Sequence, residues 1–242
     1  MKTSITIALA GQSLELELNF PENTLFFREF LSGEKAKDKL TVSMDDVIKA
    51  HERYPAETDL AYAECGELAF RVADWLAERR CCIFHGAAFL WKGKAWILTA
   101  PSGTGKTTQY FLWKIRFGEE VTLINGDKPI LECREDSIRV HSSPWKGKEG
   151  MHNRISAPLG GILYLRQAEE NSMELLPPKE AILPLLYQFL MDWAEKDTVL
   201  AACDILDRML KNVPVWLLSN RGDDESAMLA YRTIECYEEA KS

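Results

Sequence analysis

Residues 100–108 read APSGTGKTT, between the apolar run 95–99 (AWILT) and the helix-like run 109–117 (QYFLWKIRF). The stretch fits a phosphate-binding loop: a small residue, four variable positions, then Gly, Lys and Ser or Thr, with Ala100 where the first Gly usually stands. Backbone N–H groups wrap a phosphate chain only if the backbone turns sharply and comes close, which Gly103 and Gly105 permit because they lack a Cβ. The start of the following helix adds unpaired N–H groups and the positive end of its dipole. The nucleotide-binding residues are then Ser102, Gly103, Thr104, Gly105, Lys106, Thr107 and Thr108. Lys106 is read as a solvent-facing lysine reaching the β and γ phosphates of ATP, and the Thr107 hydroxyl as a Mg²⁺ ligand.

The remainder of the 242 residues suits one α/β domain rather than several. We read residues 1–55 as an appended α/β element and 56–242 as the nucleotide-binding core. A formal net charge of −8 argues against a nucleic-acid surface, since no basic excess is present to neutralise phosphates. The six cysteines form no CxxC pair, so neither structural zinc nor a dithiol is suggested. No apolar run reaches the ~18 residues of a membrane span, and the apolar start is interrupted too early for a signal peptide, so the chain reads as cytoplasmic.

Periodicity predicts a hairpin from 4–10 and 14–19, a short helix near Asp45 and Asp46, and a helix over 58–80 with Leu60, Leu68, Val72, Trp75 and Leu76 on one side. Residues 81–91 and 94–99 read as two strands joined at Lys92 and Gly93. Short strands follow at 121–124, 129–133, 137–141 and 161–165, the third reached through a turn at 134–136. Helices are expected at 179–192 and 198–210, a last strand at 213–218 and a final helix at 225–239. The tryptophans read as packing residues.

Asp127 ends a short strand 21 residues after Lys106, where a carboxylate meets the Mg²⁺ beside nucleotide phosphates, or else simply forms the turn of an Asn-Gly-Asp loop. His85, in the strand before the loop, is either a satisfied structural residue or a functional one. The run 142–150, SSPWKGKEG, contains Lys146, Lys148 and Glu149 and reads either as a solvated loop or as one closing over phosphates. Arg154 is a surface charge or a phosphate clamp.

Together, His85-Gly86 in a strand, a turn, an apolar strand, the phosphate loop and Gly126-Asp127 at a strand end resemble the HPr serine kinase/phosphorylase catalytic domain. The loop is also similar to that of phosphoenolpyruvate carboxykinase. The segments PWKGKEG (144–150) and PLGGILYL (158–165) look like those of short HPr-kinase-related proteins, some of which phosphorylate peptide products of biosynthetic clusters. The resemblance covers roughly residues 60–235. It implies an α/β P-loop fold of the HPr kinase and carboxykinase type, with a mixed β-sheet flanked by helices. It further implies Mg²⁺, ATP or a related phosphoryl donor, and a peptide or small-protein acceptor; the acidic charge and the lack of a long apolar run argue against nucleic acid and membrane as partners. Carried over by position, Lys106 contacts phosphates, Thr107 and Asp127 bind Mg²⁺, His85 lies beside the transferred phosphoryl, and Glu149 is a candidate second carboxylate. HPr kinases have two adjacent aspartates at the strand end, the first acting as base, and here that position is Gly126. The base is then His85 or Glu149, or else the acceptor or the activity differs.

Overall fold

The computed structural model describes residues 2–135, 137–147 and 149–240. Asp136 of the expected 134–136 turn and Lys148 of the basic loop lie outside the described residues.

Strands β1 (Thr3–Leu9) and β2 (Gln12–Leu18) pair antiparallel through a turn in which Ala10 and Gly11 have φ of 47° and 77°. One face of the hairpin buries Ile7, Leu9, Leu14, Leu16 and Leu18, the alternation expected of a half-covered sheet. A single turn, α1 (Thr24–Phe27), leads towards β3 (Asp38–Thr41), which adds parallel to β2. Helix α2 (Met44–His51) begins at Ser43, whose hydroxyl accepts the Asp46 N–H. Helix α3 (Leu60–Ala77) is capped in the same way by Asp59 and buries Leu68, Val72, Trp75 and Leu76, while Leu60 is only partly covered.

The chain continues through β4 (Cys81–Phe84), β5 (Ala87–Trp91), β6 (Lys94–Thr99), α4 (Lys106–Phe117) and β7 (Thr122–Asn125). Then come β8 (Ile130–Cys133), β9 (Ile138–His141), β10 (Ser156–Gln167), β11 (Ser172–Leu175) and α5 (Pro178–Leu186). The last elements are β12 (Phe189–Leu190), α6 (Lys196–Asn212), β13 (Val215–Asn220) and α7 (Asp224–Glu239). Ten strands make one large mixed sheet flanked by helices, in the order β12-β4-β8-β9-β10-β6-β5-β7, with β13 on the other side of β10 and β11 outside it. Its two halves share β10, whose first residues pair antiparallel with β9 and whose remainder lies parallel to both β6 and β13. The register shifts between Leu159 and Gly161. A Cβ on Gly161 would stand 2.6 Å from ring atoms of both Trp96 and Trp216, so glycine there lets the two indoles cover the strand.

Several expectations are corrected. Residues 81–91 are two strands rather than one: β4 pairs with β8 and β12, while β5 pairs with β6 and β7. The strand expected at 161–165 is the middle of a twelve-residue strand whose beginning, rich in Ser, Pro and Gly, carries no clear strand pattern. The helix expected over 179–192 stops at Leu186, because Pro184 withholds an N–H from its last turn, and Phe189 then pairs with Phe84. β3 and β11, short and largely polar, have no counterpart in the sequence reading.

Three buried clusters hold these layers. One joins the small sheet to α3, one packs α5 and α6 on the large sheet, and one packs α4 and α7 on it. Six of the seven tryptophans are buried and only Trp193 is exposed, as packing residues should be. Cys65, Cys81, Cys82 and Cys133 are buried and free, and burial pushes the Cys81 thiol up to about 12. Among the described residues no helix is long and apolar enough to cross a membrane.

The small sheet is tied to α3 by Glu64, a fully buried carboxylate. Its oxygens accept from the backbone N–H groups of Asn19 (2.7 Å) and Phe20 (3.3 Å) and from the amides of Asn19 (2.8 Å) and Asn23 (2.7 Å). Truncation to alanine strands these buried donors, each costing about 1–3 kcal/mol. We expect Glu64→Ala to lower stability by roughly 3 kcal/mol or more in denaturant titration, and Glu64→Gln, which keeps one acceptor oxygen, to cost clearly less.

Candidate phosphate-binding site

The phosphate loop leaves the end of β6 and enters α4 at Gly105, which has φ of 107° and gives the helix no side-chain cap. Gly103 also has positive φ, 81°, and at neither glycine would a Cβ meet anything within 4 Å. Backbone geometry, not crowding, is what these glycines supply. Their open side faces a cavity of about 740 Å³, lined in part by Ser102, Gly103, Gly105, Lys106, Thr107 and Thr108. The Thr104 hydroxyl instead turns back to the Pro101 carbonyl at 2.9 Å.

Lys106 is not solvent-facing. It is 9% exposed, and its Nζ donates to the carbonyls of Ala100 (3.0 Å) and Pro101 (3.3 Å). Burial pushes its pKa down, with the nearby Asp127 charge opposing that shift. An ammonium held only by neutral carbonyls retains its charge for an anion in the loop.

Asp127 is presented by an Asx turn. Asn125, fully buried at the end of β7, accepts the N–H groups of Asp127 (2.9 Å) and Lys128 (2.7 Å) on its Oδ1 and donates through Nδ2 to the Ser143 carbonyl (2.9 Å). The turn and the site are thus the same object. Asp127 Oδ2 accepts from Lys128 Nζ at 2.6 Å, and Oδ1 lies 3.4 Å from His85 Nε2. Burial alone would raise its pKa, but the hydrogen bond with His85 and the Lys128 charge hold it well below the usual carboxylate range.

His85 sits where β4 gives way to β5. Its N–H meets the Gln188 carbonyl (2.7 Å), its carbonyl accepts from Thr99 Oγ1 (2.7 Å), and Gly86 N–H meets the Asp127 carbonyl (2.8 Å). Its ring Nδ1 faces Gln188 Oε1 at 3.1 Å, and the amide is oriented by Nε2 donating to the Pro184 carbonyl. Both ring nitrogens therefore lie against oxygen atoms, Gln188 Oε1 and Asp127 Oδ1.

Glu149, exposed, lines the same cavity, and so does Gly147, where a Cβ would stand 2.9 Å from Asp127 Cβ. Gly147 has φ of 73°, so the loop after Trp145 reaches Asp127 only as glycine. A side chain at Gly126 would meet the carbonyls of Lys146 and Met151, each 3.2 Å from the Cβ position. The glycine that replaces the expected first aspartate is thus packed in by the returning loop. Arg154 is elsewhere, its guanidinium over the Phe30 ring at 5.5 Å, which excludes the phosphate-clamp reading in this arrangement.

The structure brings His85, Lys106, Asp127 and Glu149 to one cavity. Sequence reasoning missed Lys128, Gln188 and Asn125. The Asn-Gly-Asp string signalled the last; nothing signalled Gln188, because the helix was read through it.

These residues fit a nucleotide's phosphates: an uncapped helix start, open positive-φ glycines and a buried ammonium converge on one cavity. Thr107 and Asp127, both lining this cavity, carry the oxygens that would suit Mg²⁺. No group of three or more His, Cys, Asp or Glu suited to a metal occurs among the described residues. Mg²⁺ on a nucleotide takes only one or two protein ligands besides phosphate and water, so two such oxygens would fit it.

No family model matches the chain, and no curated protein matches it. Among solved structures it is similar to the Hpr(Ser) kinase/phosphatase from Coxiella burnetii, with 11% identity and a TM-score of 0.37. The match covers 64% of this chain and 98% of that one. A likeness of that size decides nothing about chemistry, so the reading rests on the geometry above.

Two measurements probe this assembly. A Cβ on Gly86 would lie 2.8 Å from Ile97 Cγ2 and 2.9 Å from the Leu98 carbonyl, so Gly86→Ala should lower stability by about 1–3 kcal/mol and weaken nucleotide binding, read by denaturation and titration. His152, on the returning loop, is stacked on Phe30, and its side chain is 2% exposed. Burial lowers its pKa from the ordinary 6.5, Lys146 adds to that shift and Glu29 opposes it. A depressed folded-state value means stability that is complete above 6.5 and is lost as pH falls through the folded-state value. We therefore expect the urea midpoint to fall between about pH 7 and pH 5, and to fall less in His152→Leu.

Proposed function

We propose that the chain is a Mg²⁺-dependent kinase of HPr kinase and carboxykinase-like P-loop fold. It transfers a phosphoryl group from ATP to a hydroxyl, a serine of a peptide or small protein. The observation that carries this is the convergence of the loop, Lys106, Asp127 and His85 on one cavity. Phosphoryl transfer asks a protein mainly for positioning and charge stabilisation, and these groups supply both.

The N–H groups at the start of α4 and around Gly103 cradle the phosphates, and Lys106 neutralises charge at the γ end. Thr107 and Asp127 would hold the metal ion, which would supply charge neutralisation for the transferred phosphoryl group. His85, its Nδ1 set against Gln188 Oε1, would take the proton of the acceptor hydroxyl on Nε2. Glu149 is the other candidate base, carried on the loop that lies against Asp127.

The test is transfer of labelled phosphate from ATP with Mg²⁺ to serine peptides. Lys106→Ala should lower transfer by roughly 10²–10³-fold, a loss larger than the stability change from leaving the Ala100 and Pro101 carbonyls without their donor, which denaturation of the variant measures separately. His85→Ala should lower kcat by ~10²–10⁴-fold and leave nucleotide affinity nearly intact. Loss in Glu149→Gln with activity kept in His85→Ala would move the base to the loop. A nucleotide-binding regulatory or inactive kinase-like module is the second reading, favoured by the packing that closes Gly126 to a side chain. It prevails if the wild-type chain binds ATP and phosphorylates neither peptides nor small hydroxyl acceptors.

A further inference from the structure

A second cavity, of about 400 Å³, opens beside the first and shares with it Tyr62, Asp127, Lys128, Gly147 and Leu190. Its walls are aromatic: Phe26, Tyr54, Tyr62, Phe70 and Trp145. Cys65, Gly66 and Ala69, successive small residues on one side of α3, form its floor. Its volume lies within the ~300–1,000 Å³ of small-molecule sites, which combine an apolar lining with a few polar groups.

Gly66 is out of place on propensity, since a glycine inside a helix costs about 1 kcal/mol relative to alanine. The reason lies in the cavity. A Cβ at Gly66 would stand 2.1 Å from the Tyr54 hydroxyl, so the glycine lets that ring lie against the helix and keeps the space beside it. Tyr54 and Tyr62 meet edge to face at 5.5 Å, and the Trp145 indole N–H is fixed by the Cys65 carbonyl at 2.8 Å.

The cavity's position decides what it takes. None of its lining residues belongs to the phosphate loop, and it joins the first cavity at Asp127 and Lys128. Loop N–H groups hold the α and β phosphates while the metal carboxylate lies towards the γ end, so the doorway is at the end where the phosphoryl group leaves. A base attached beyond the α phosphate lies away from it.

We infer that this aromatic cavity is the acceptor subsite, and that it takes an aromatic or large aliphatic group adjacent to the hydroxyl that receives the phosphoryl. This rests on the kinase reading for the word acceptor, but the selectivity of the cavity is measurable without turnover. Burying one such group favours an acceptor by roughly tenfold or more over the same acceptor without it.

The probes are two pairs of N-acetylated, C-amidated dipeptides, Phe-Ser with Gly-Ser and Phe-Ala with Gly-Ala. Calorimetric titration of the full chain without nucleotide should show Phe-Ala binding at least about tenfold tighter than Gly-Ala. Tyr62→Ala, at an exposed residue whose loss spares the core, and Gly66→Ala, which displaces Tyr54, should each reduce that preference severalfold. In the transfer assay Phe-Ser should exceed Gly-Ser in kcat/KM, with both variants narrowing the gap and Gly66→Ala, whose residue lines only the second cavity, keeping ATP affinity. Equal binding of Phe-Ala and Gly-Ala, a preference unmoved in both variants, or competitive displacement of Phe-Ala by adenosine would overturn the inference. Selective Phe-Ala binding in a chain that transfers phosphate to nothing would uphold the cavity and remove the kinase reading. Transfer that ignores the neighbouring residue would do the reverse.

Discussion

Gly86 stands where the two halves of the large sheet part, and the site depends on its having no side chain. β4 leaves towards β8 while β5 returns against β6 and β7, so the chain must pass close over β6 between them. The Leu98 carbonyl lies 2.9 Å from where a Cβ would be, and only glycine allows that approach. Every neighbouring hydrogen bond follows from the crossing. His85 N–H reaches Gln188, His85 carbonyl reaches Thr99 at the mouth of the phosphate loop, and Gly86 N–H reaches Asp127. Three segments far apart in sequence are therefore registered on the His85–Gly86 backbone, two through their own backbone carbonyls and one through the Thr99 hydroxyl.

Charge in the cavity follows from the same framework. The chain carries a net −8, yet Lys106, Lys128 and the open end of α4 face the cavity, against Asp127 and the exposed Glu149. Asp127 is held ionised by partners that are themselves cationic or hydrogen-bonding, and Lys106 keeps a charge that only carbonyls share. At short range such a local arrangement outweighs distant surface charge, which solvent and salt screen within about 8–10 Å. An acidic protein thus places two lysines and an uncapped helix start at one cavity.

The phosphate loop, Asp127 and His85 were legible because their chemistry is local: glycine spacing, a strand end, a helix start. The strand break at His85-Gly86 was not, since CCIFHGAAF is uniformly strand-like and the reason for the break, contact with Ile97 and Leu98, comes from another strand. Gln188 was hidden for a similar reason. An amphipathic pattern runs on past Leu186, and the turn that puts Gln188 on His85 is set by pairing of Phe189 with Phe84. Gly126 was legible as a departure and opaque as to cause, because the carbonyls that close it belong to Lys146 and Met151.

The two cavities differ in what builds them. Around the phosphate loop the first cavity is shaped by backbone N–H and carbonyl groups, by glycine conformations and by a helix start, none of which depends strongly on neighbouring side-chain identity. Around the aromatic cavity they are made by side chains from three sources: the N-terminal segment with Phe26 and Tyr54, α3, and the loop at Trp145. That N-terminal segment is fixed to α3 by Glu64 and to the loop by Glu29, which pairs with Lys146 at 3.2 Å and lies 3.3 Å from His152. Substitutions there reshape the second cavity while leaving Gly86, Thr99 and the phosphate loop in register. The fold therefore separates a cavity built on backbone geometry from a neighbouring one built on side chains that can be recut for a different occupant.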